Sequence, residues 1–210
     1  QSEVTTEKLS FFKEMKAGIT FVYNFKGLKY LYITICFMNF FASMSMTLTL
    51  PWFKMNHQLG IVSYGVAMAI NTFGVFIGFA MLSMIELKKE RKFTAFISSG
   101  IILSLTMILY SLTLNIYFIN ILFFIDGLCL SVIGSLIQSI MQNCVPSNMR
   151  SKVFAFKNTL TSALMPLAMI LAGILGEKIS MNLIILIDYT LFLILFIFLS
   201  CLTSVKKIII

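Results

Sequence analysis

The chain has 210 residues, of which 59% are hydrophobic and only 11% charged, with a mean hydropathy of +0.97. A water-soluble domain leaves roughly 30% of its chain surface in contact with solvent, and so apolar a sequence has too little polar surface to cover it. The net charge of +8 does not point to nucleic acid either, because the bases fall between apolar stretches, as loop charges of a membrane protein do.

Residues 1–9 are polar, and residue 1 is Gln rather than an initiator Met, so the chain is read as a piece or a processed product. Phe11, Met15, Ile19, Val22 and Phe25 then recur at helical spacing against Lys13, Lys16 and Lys26. That pattern predicts an amphipathic helix over 11–28 on the cytoplasmic membrane surface, within a linker of residues 1–29. An all-α bundle of six membrane spans follows, expected at about 30–51, 60–85, 93–113, 116–142, 153–175 and 182–204, with a cytoplasmic tail at 205–210. Tyr30 to Phe53 and Phe93 to Ile125 hold no acid or base, and Met55 to Ile85 holds only His57. Each window exceeds the roughly 20 helical residues that cross a hydrocarbon core of about 30 Å. Between Phe93 and Met149 the one formal charge is Asp126; the stretch is too long for a single crossing, and Thr113, Asn115 and Tyr117 mark a turn within it.

An even number of spans puts both ends on one side, and the bases indicate which. Lys8, Lys13, Lys16, Lys26 and Lys29, then Lys88, Lys89, Arg91 and Lys92, then Arg150, Lys152 and Lys157, then Lys206 and Lys207 share one side, leaving only Lys54 and Lys178 on the other. The positive-inside rule then makes both termini cytoplasmic in a cell membrane. Trp52, beside Pro51 at the far end of the first span, is expected to serve as an interfacial aromatic anchor.

Small and weakly polar residues form helical stripes. On the second span Ser63, Ala67, Asn71, Gly74 and Gly78 lie within one quadrant, and Gly74 with Gly78 makes a GxxxG pair suited to helix packing. Tyr32, Cys36, Asn39, Ser43 and Met46 on the first span, and Asn158, Ser162, Met165, Met169 and Gly173 on the fifth, suit either packing or a substrate-facing wall. The fourth span carries Gly127, Ser131, Gly134, Ser135, Gln138 and Gln142, and also Asp126. At about 1.5 Å per residue Asp126 lies roughly 15 Å deep, near the bilayer centre. There a carboxyl is either a proton-coupling or cation-binding group, or a group satisfied by a neighbouring helix. It stands about 130° from the middle of the polar stripe at roughly 100° per residue, so it does not share that stripe's surroundings. Asp188, six residues into the last span, is expected to reach interfacial water or pair with Lys178. His57 is read as a solvated loop residue. Cys36, Cys129, Cys144 and Cys201 lack metal-ligand spacing and are read as apolar packing. No catalytic motif is present, so no enzyme activity, cofactor or metal is expected.

From Gln138 and Gln142 the sequence continues through Val145-Pro146, Met149-Arg150-Ser151-Lys152-Val153-Phe154, Asn158, Met165-Pro166-Leu167 and Gly173. This stretch resembles the corresponding segment of the macrolide-efflux and enterobactin-exporter-like branch of the major facilitator superfamily, where a Val-Pro is followed by Arg-Gly-Arg-Val-Phe-Ser and then Met-Pro-Leu-Gly. Arg150-Ser151-Lys152 keeps the positive ends but not the glycine, and residues 86–92 keep only the basic character of the superfamily's loop motif. The resemblance implies helices seven to twelve of a twelve-helix transporter, built as two inverted three-helix repeats. It further implies a partner N-terminal six-helix half, without which the chain would not transport, and proton-driven export of an amphipathic drug-like or siderophore-like molecule. In that scheme Asn39, Ser43, Ser131, Gly134, Gln138, Asn158 and Ser162 are candidates for the substrate cavity and Asp126 for proton coupling. Gly74 and Gly78 would pack against the other half, while Arg150, Lys152 and Pro166 are packing or gating candidates. The alternative is a non-transporting membrane module, either a degenerate remnant or an assembly partner.

Overall fold

The computed structural model describes residues 16–85 and 87–209. Within them six helices are long and apolar enough to cross a membrane: α1 (Lys26–Met55), α2 (Gly60–Met84), α3 (Lys89–Leu112), α4 (Ile116–Cys144), α5 (Ser147–Gly176) and α6 (Met181–Ser200), followed by a short α7 (Thr203–Ile209). No strand occurs among the described residues, as the need to satisfy every backbone polar group within lipid requires of a chain that spans it helically. Residues 11–15 of the amphipathic helix expected over 11–28 lie outside the described residues. Residues 16–24 are helical, and the chain bends at Phe25, whose φ of −101° and ψ of 94° separate this segment from α1.

The turns are made by identifiable local chemistry. Asn56 closes α1, its Nδ2 donating to the Trp52 carbonyl at 2.7 Å. Gly60 enters α2 with φ of 76°, a left-handed conformation that glycine adopts without a Cβ penalty. Asn115 caps α4 by accepting from the backbone N–H of Tyr117 at 3.0 Å and of Phe118 at 3.3 Å, so the long apolar stretch divides at the Thr113–Asn115–Tyr117 cluster.

The principal packing partners run α2–α4–α3–α6–α1–α5. Exchanging α1 with α4, α2 with α5 and α3 with α6 returns this same order reversed. Each repeat has three spans, so the second begins on the opposite side of the membrane from the first, and the two repeats are inverted. The bundle is a six-helix half of the major facilitator type, with α3 and α6 central and α2 and α5 at the ends of the row. The last residues, expected to form a simple tail, instead fold as α7 and dock. Val205 and Ile209 are buried, and a Cβ on Gly27 of α1 would meet the Ser204 carbonyl at 2.7 Å.

On the side away from the basic loops, aromatic rings close the bundle. Phe53 of α1 contacts Tyr64 of α2 at 5.7 Å between centroids, Tyr110 of α3 at 6.2 Å and Phe123 of α4 at 6.5 Å. Trp52 packs edge-on against Tyr110 at 5.1 Å and is only 7% exposed. This corrects the expectation of an interfacial aromatic anchor, since the indole is turned inward onto Tyr110. Phe53 meets aromatic rings of three other helices and is fully buried, so Phe53→Ala is expected to cost about 3–5 kcal/mol, read as a lowered unfolding midpoint in detergent.

Candidate functional site

The seam between α2 and α4 is built on absent side chains. A Cβ on Gly74 would collide with the Phe124 carbonyl, one on Gly78 with the Ser131 hydroxyl, and one on Gly127 with the Asn71 carbonyl. The small-residue face of α2 therefore holds α4 of the same chain, which corrects its expected use against another half. It also relocates Ser131, which is fully buried in the seam and donates to the Leu128 carbonyl at 2.7 Å rather than facing a cavity.

That close approach sets the chemistry. With Gly127 pressed on the Asn71 backbone, the Asn71 amide reaches the preceding residue of α4: Nδ2 donates to Asp126 Oδ2 at 2.8 Å and to the Phe123 carbonyl at 3.0 Å. Asp126 is 7% exposed, and no described lysine or arginine pairs with it. The carboxyl thus sits near mid-depth with one amide donor. Asn71 had been visible only as a packing residue. A usable signal was its depth: both helices start on the same side, and Asn71 and Asp126 lie about 16 and 15 Å along them.

A second carboxyl is buried deeper in the row. Asp188 of α6 is 1% exposed and accepts from Ser45 of α1 at 2.7 Å. The expected exposure to interfacial water or pairing with Lys178 is thereby corrected, because the carboxyl is enclosed and takes its hydrogen bond from Ser45 of α1.

The remaining candidates do not converge on one wall. Ser43 is buried, while half-exposed Asn39 turns its amide back to the Ile35 carbonyl at 2.8 Å. Gly134 and Gln138 are exposed and line, with Phe79 and Gln142, an open cavity of about 510 Å³ between α2 and α4. Asn158, Ser162 and Pro166 are exposed on α5, on the side opposite Phe156, Leu160 and Leu164, which face α1. Arg150 works locally: its Nη2 donates to the Gln142 carbonyl at 2.8 Å, finishing α4 across the turn. Lys152 is half-buried, and its backbone carbonyl lies 2.9 Å from where a Cβ on Gly18 would stand. His57 is exposed, as read from the sequence.

No curated protein matches the chain, and no solved structure does. The family model described as Major Facilitator Superfamily matches residues 3–167, most of the chain and the stretch that contains α1 to α4 with the Asn71–Asp126 pair. With six membrane-spanning helices in two inverted repeats and this match, the chain belongs to the major facilitator superfamily of membrane transporters.

Proposed function

We propose that the chain is the C-terminal half of a twelve-helix, proton-driven exporter of amphipathic small molecules, of the macrolide-efflux or enterobactin-exporter-like type. Asp126 is its proton-exchanging group. The observation that carries this is a carboxyl near mid-membrane with a single amide donor from α2 and no cation among the described residues paired to it. Such a group is costly to keep and is a functional candidate by default. The basic loops support a cell-membrane protein with both ends of this chain cytoplasmic. Asn39 and Ser43 of α1, Gly134 and Gln138 of α4, and Asn158 and Ser162 of α5 are the positions assigned to substrate once an N-terminal six-helix half is in place. Exposure of Gly134, Gln138, Asn158 and Ser162, and half-exposure of Asn39, on the half-bundle supports that assignment.

The test is accumulation of macrolides and fluorescent amphiphiles in cells expressing this chain with its N-terminal half. Lower accumulation is expected, reversed by a protonophore. Accumulation equal to that of cells without the protein would favour a non-transporting membrane module instead.

A further inference from the structure

A cavity of about 450 Å³ is lined by helical segment 16–24, α1 and α5 on the side of the basic loops. Its walls are apolar, with Val22, Ile33, Phe37, Phe40, Phe156 and Leu160 among them, and Lys29 is the one charged residue among the described residues that line it. The Lys29 ammonium rests 3.9 Å from the centroid of the Tyr23 ring, and no acid occurs from residue 15 to residue 85. Lys16 and Lys26, both exposed, stand at the same end. The groove is open sideways, since Ile33 is 44% and Phe37 49% exposed.

Its length is as informative as its polarity. Lys29 and Phe40 bound the groove along α1, eleven residues apart, which is about 16 Å at about 1.5 Å per residue. That is about half of a hydrocarbon core of about 30 Å, the depth of one leaflet. A slot of leaflet depth, apolar throughout and cationic only at the level of the head groups, is complementary to a membrane amphiphile standing in its ordinary orientation. Basic pockets beside membrane helices select lipids with net negative head groups, whereas a zwitterionic choline head group brings its own cation to the lysine.

We propose that this groove holds an anionic phospholipid of the leaflet on the basic side, with its phosphate at Lys29 and one acyl chain along Phe37, Phe40 and Leu160. The lipid would lie alongside the α1–α5 contact, where Tyr32 of α1 stacks on Phe156 of α5 at 6.0 Å between ring centroids.

The chain is reconstituted in bilayers of mixed phosphatidylglycerol and phosphatidylcholine, each in turn supplied with a photoreactive acyl chain, and labelled peptides are mapped by mass spectrometry. Phosphatidylglycerol is expected to label residues 33–40 and 156–164 about five-fold more than phosphatidylcholine, the discrimination one lysine near the surface provides. Lys29→Gln should bring the two lipids level there while leaving labelling of α2 at Phe73 and Phe76 unchanged. Leu160→Trp, which fills the groove without touching the charge, should lower labelling by both lipids. Equal labelling by the two lipids in the unaltered chain, or phosphatidylglycerol labelling that survives Lys29→Gln, would overturn the proposal. So would displacement of the phospholipid by a soluble fatty acid at lower concentration, which would give the groove to a transported anionic amphiphile.

Discussion

Asp126→Asn is expected to reduce proton-driven efflux by the assembled transporter to the level of cells without it, with little change in the folded bundle. Asparagine has the size of aspartate and a carbonyl that accepts the Asn71 amide in the position of Oδ2, now 2.8 Å away. What it lacks is an exchangeable proton. An ionised aspartate at the bilayer centre costs about 3 kcal/mol on insertion scales, so a proton leaves this site only when the surroundings change, by water entering or a cation approaching. The α2–α4 seam is the element able to make that change, because the same contact that buries Asp126 supplies its donor. Asn71→Ala is the informative companion. It removes the donor but keeps the proton, and a buried acceptor without its partner costs about 1–3 kcal/mol. Efflux should persist in altered degree. The measurement is initial efflux rate with and without an imposed pH gradient, at matched protein levels in the membrane. An Asp126→Asn transporter that still responds to the gradient would return the carboxyl to a purely structural role.

The existence of the spans was legible because lipid imposes a simple rule: about 20 apolar residues with internally satisfied backbone, separated by charges. The Asn115 turn was legible too, since a polar cluster inside a long apolar stretch has few other uses. Neighbours were not. The Gly74 and Gly78 face announces that a helix comes close, but the sequence does not say which, and the answer was α4, whose Gly127 and Ser131 had been grouped with exposed polar residues of the same helix. Rotation about the axis was equally hidden at Trp52, where depth matched the membrane interface but direction did not. At Asp188 depth alone suggested water, and only burial against α1, where Ser45 donates to it, excludes it. The Asp126 position was readable as an anomaly without its partner, because pairing the second span with the fourth depends on the order of helices in space.

Gly127→Val is expected to prevent α2 from closing on α4, whereas Gly134→Ala, seven residues along the same helix, should leave the fold intact and slightly more stable. A Cβ on Gly127 would collide with the Asn71 carbonyl and lie 2.9 Å from the Val75 nitrogen and 3.1 Å from the Asn71 carbonyl carbon. All three are backbone atoms of one helix, and none can step aside as a side-chain rotamer can. Accommodation requires moving α2 as a body, so the penalty should exceed the 1–3 kcal/mol that is about typical of overpacked cores. Moving α2 also withdraws Asn71 from Asp126, leaving the carboxyl buried without its donor. At Gly134 an added Cβ would meet nothing within 4 Å, and alanine recovers about 1 kcal/mol of helix propensity. Unfolding in detergent, followed by circular dichroism, should therefore show a much lower midpoint for the first variant and an unchanged or raised one for the second. If Gly127→Val melted like Gly134→Ala, α4 would not cross α2 at this residue, and the Asn71–Asp126 contact that supports the coupling assignment would fall with it.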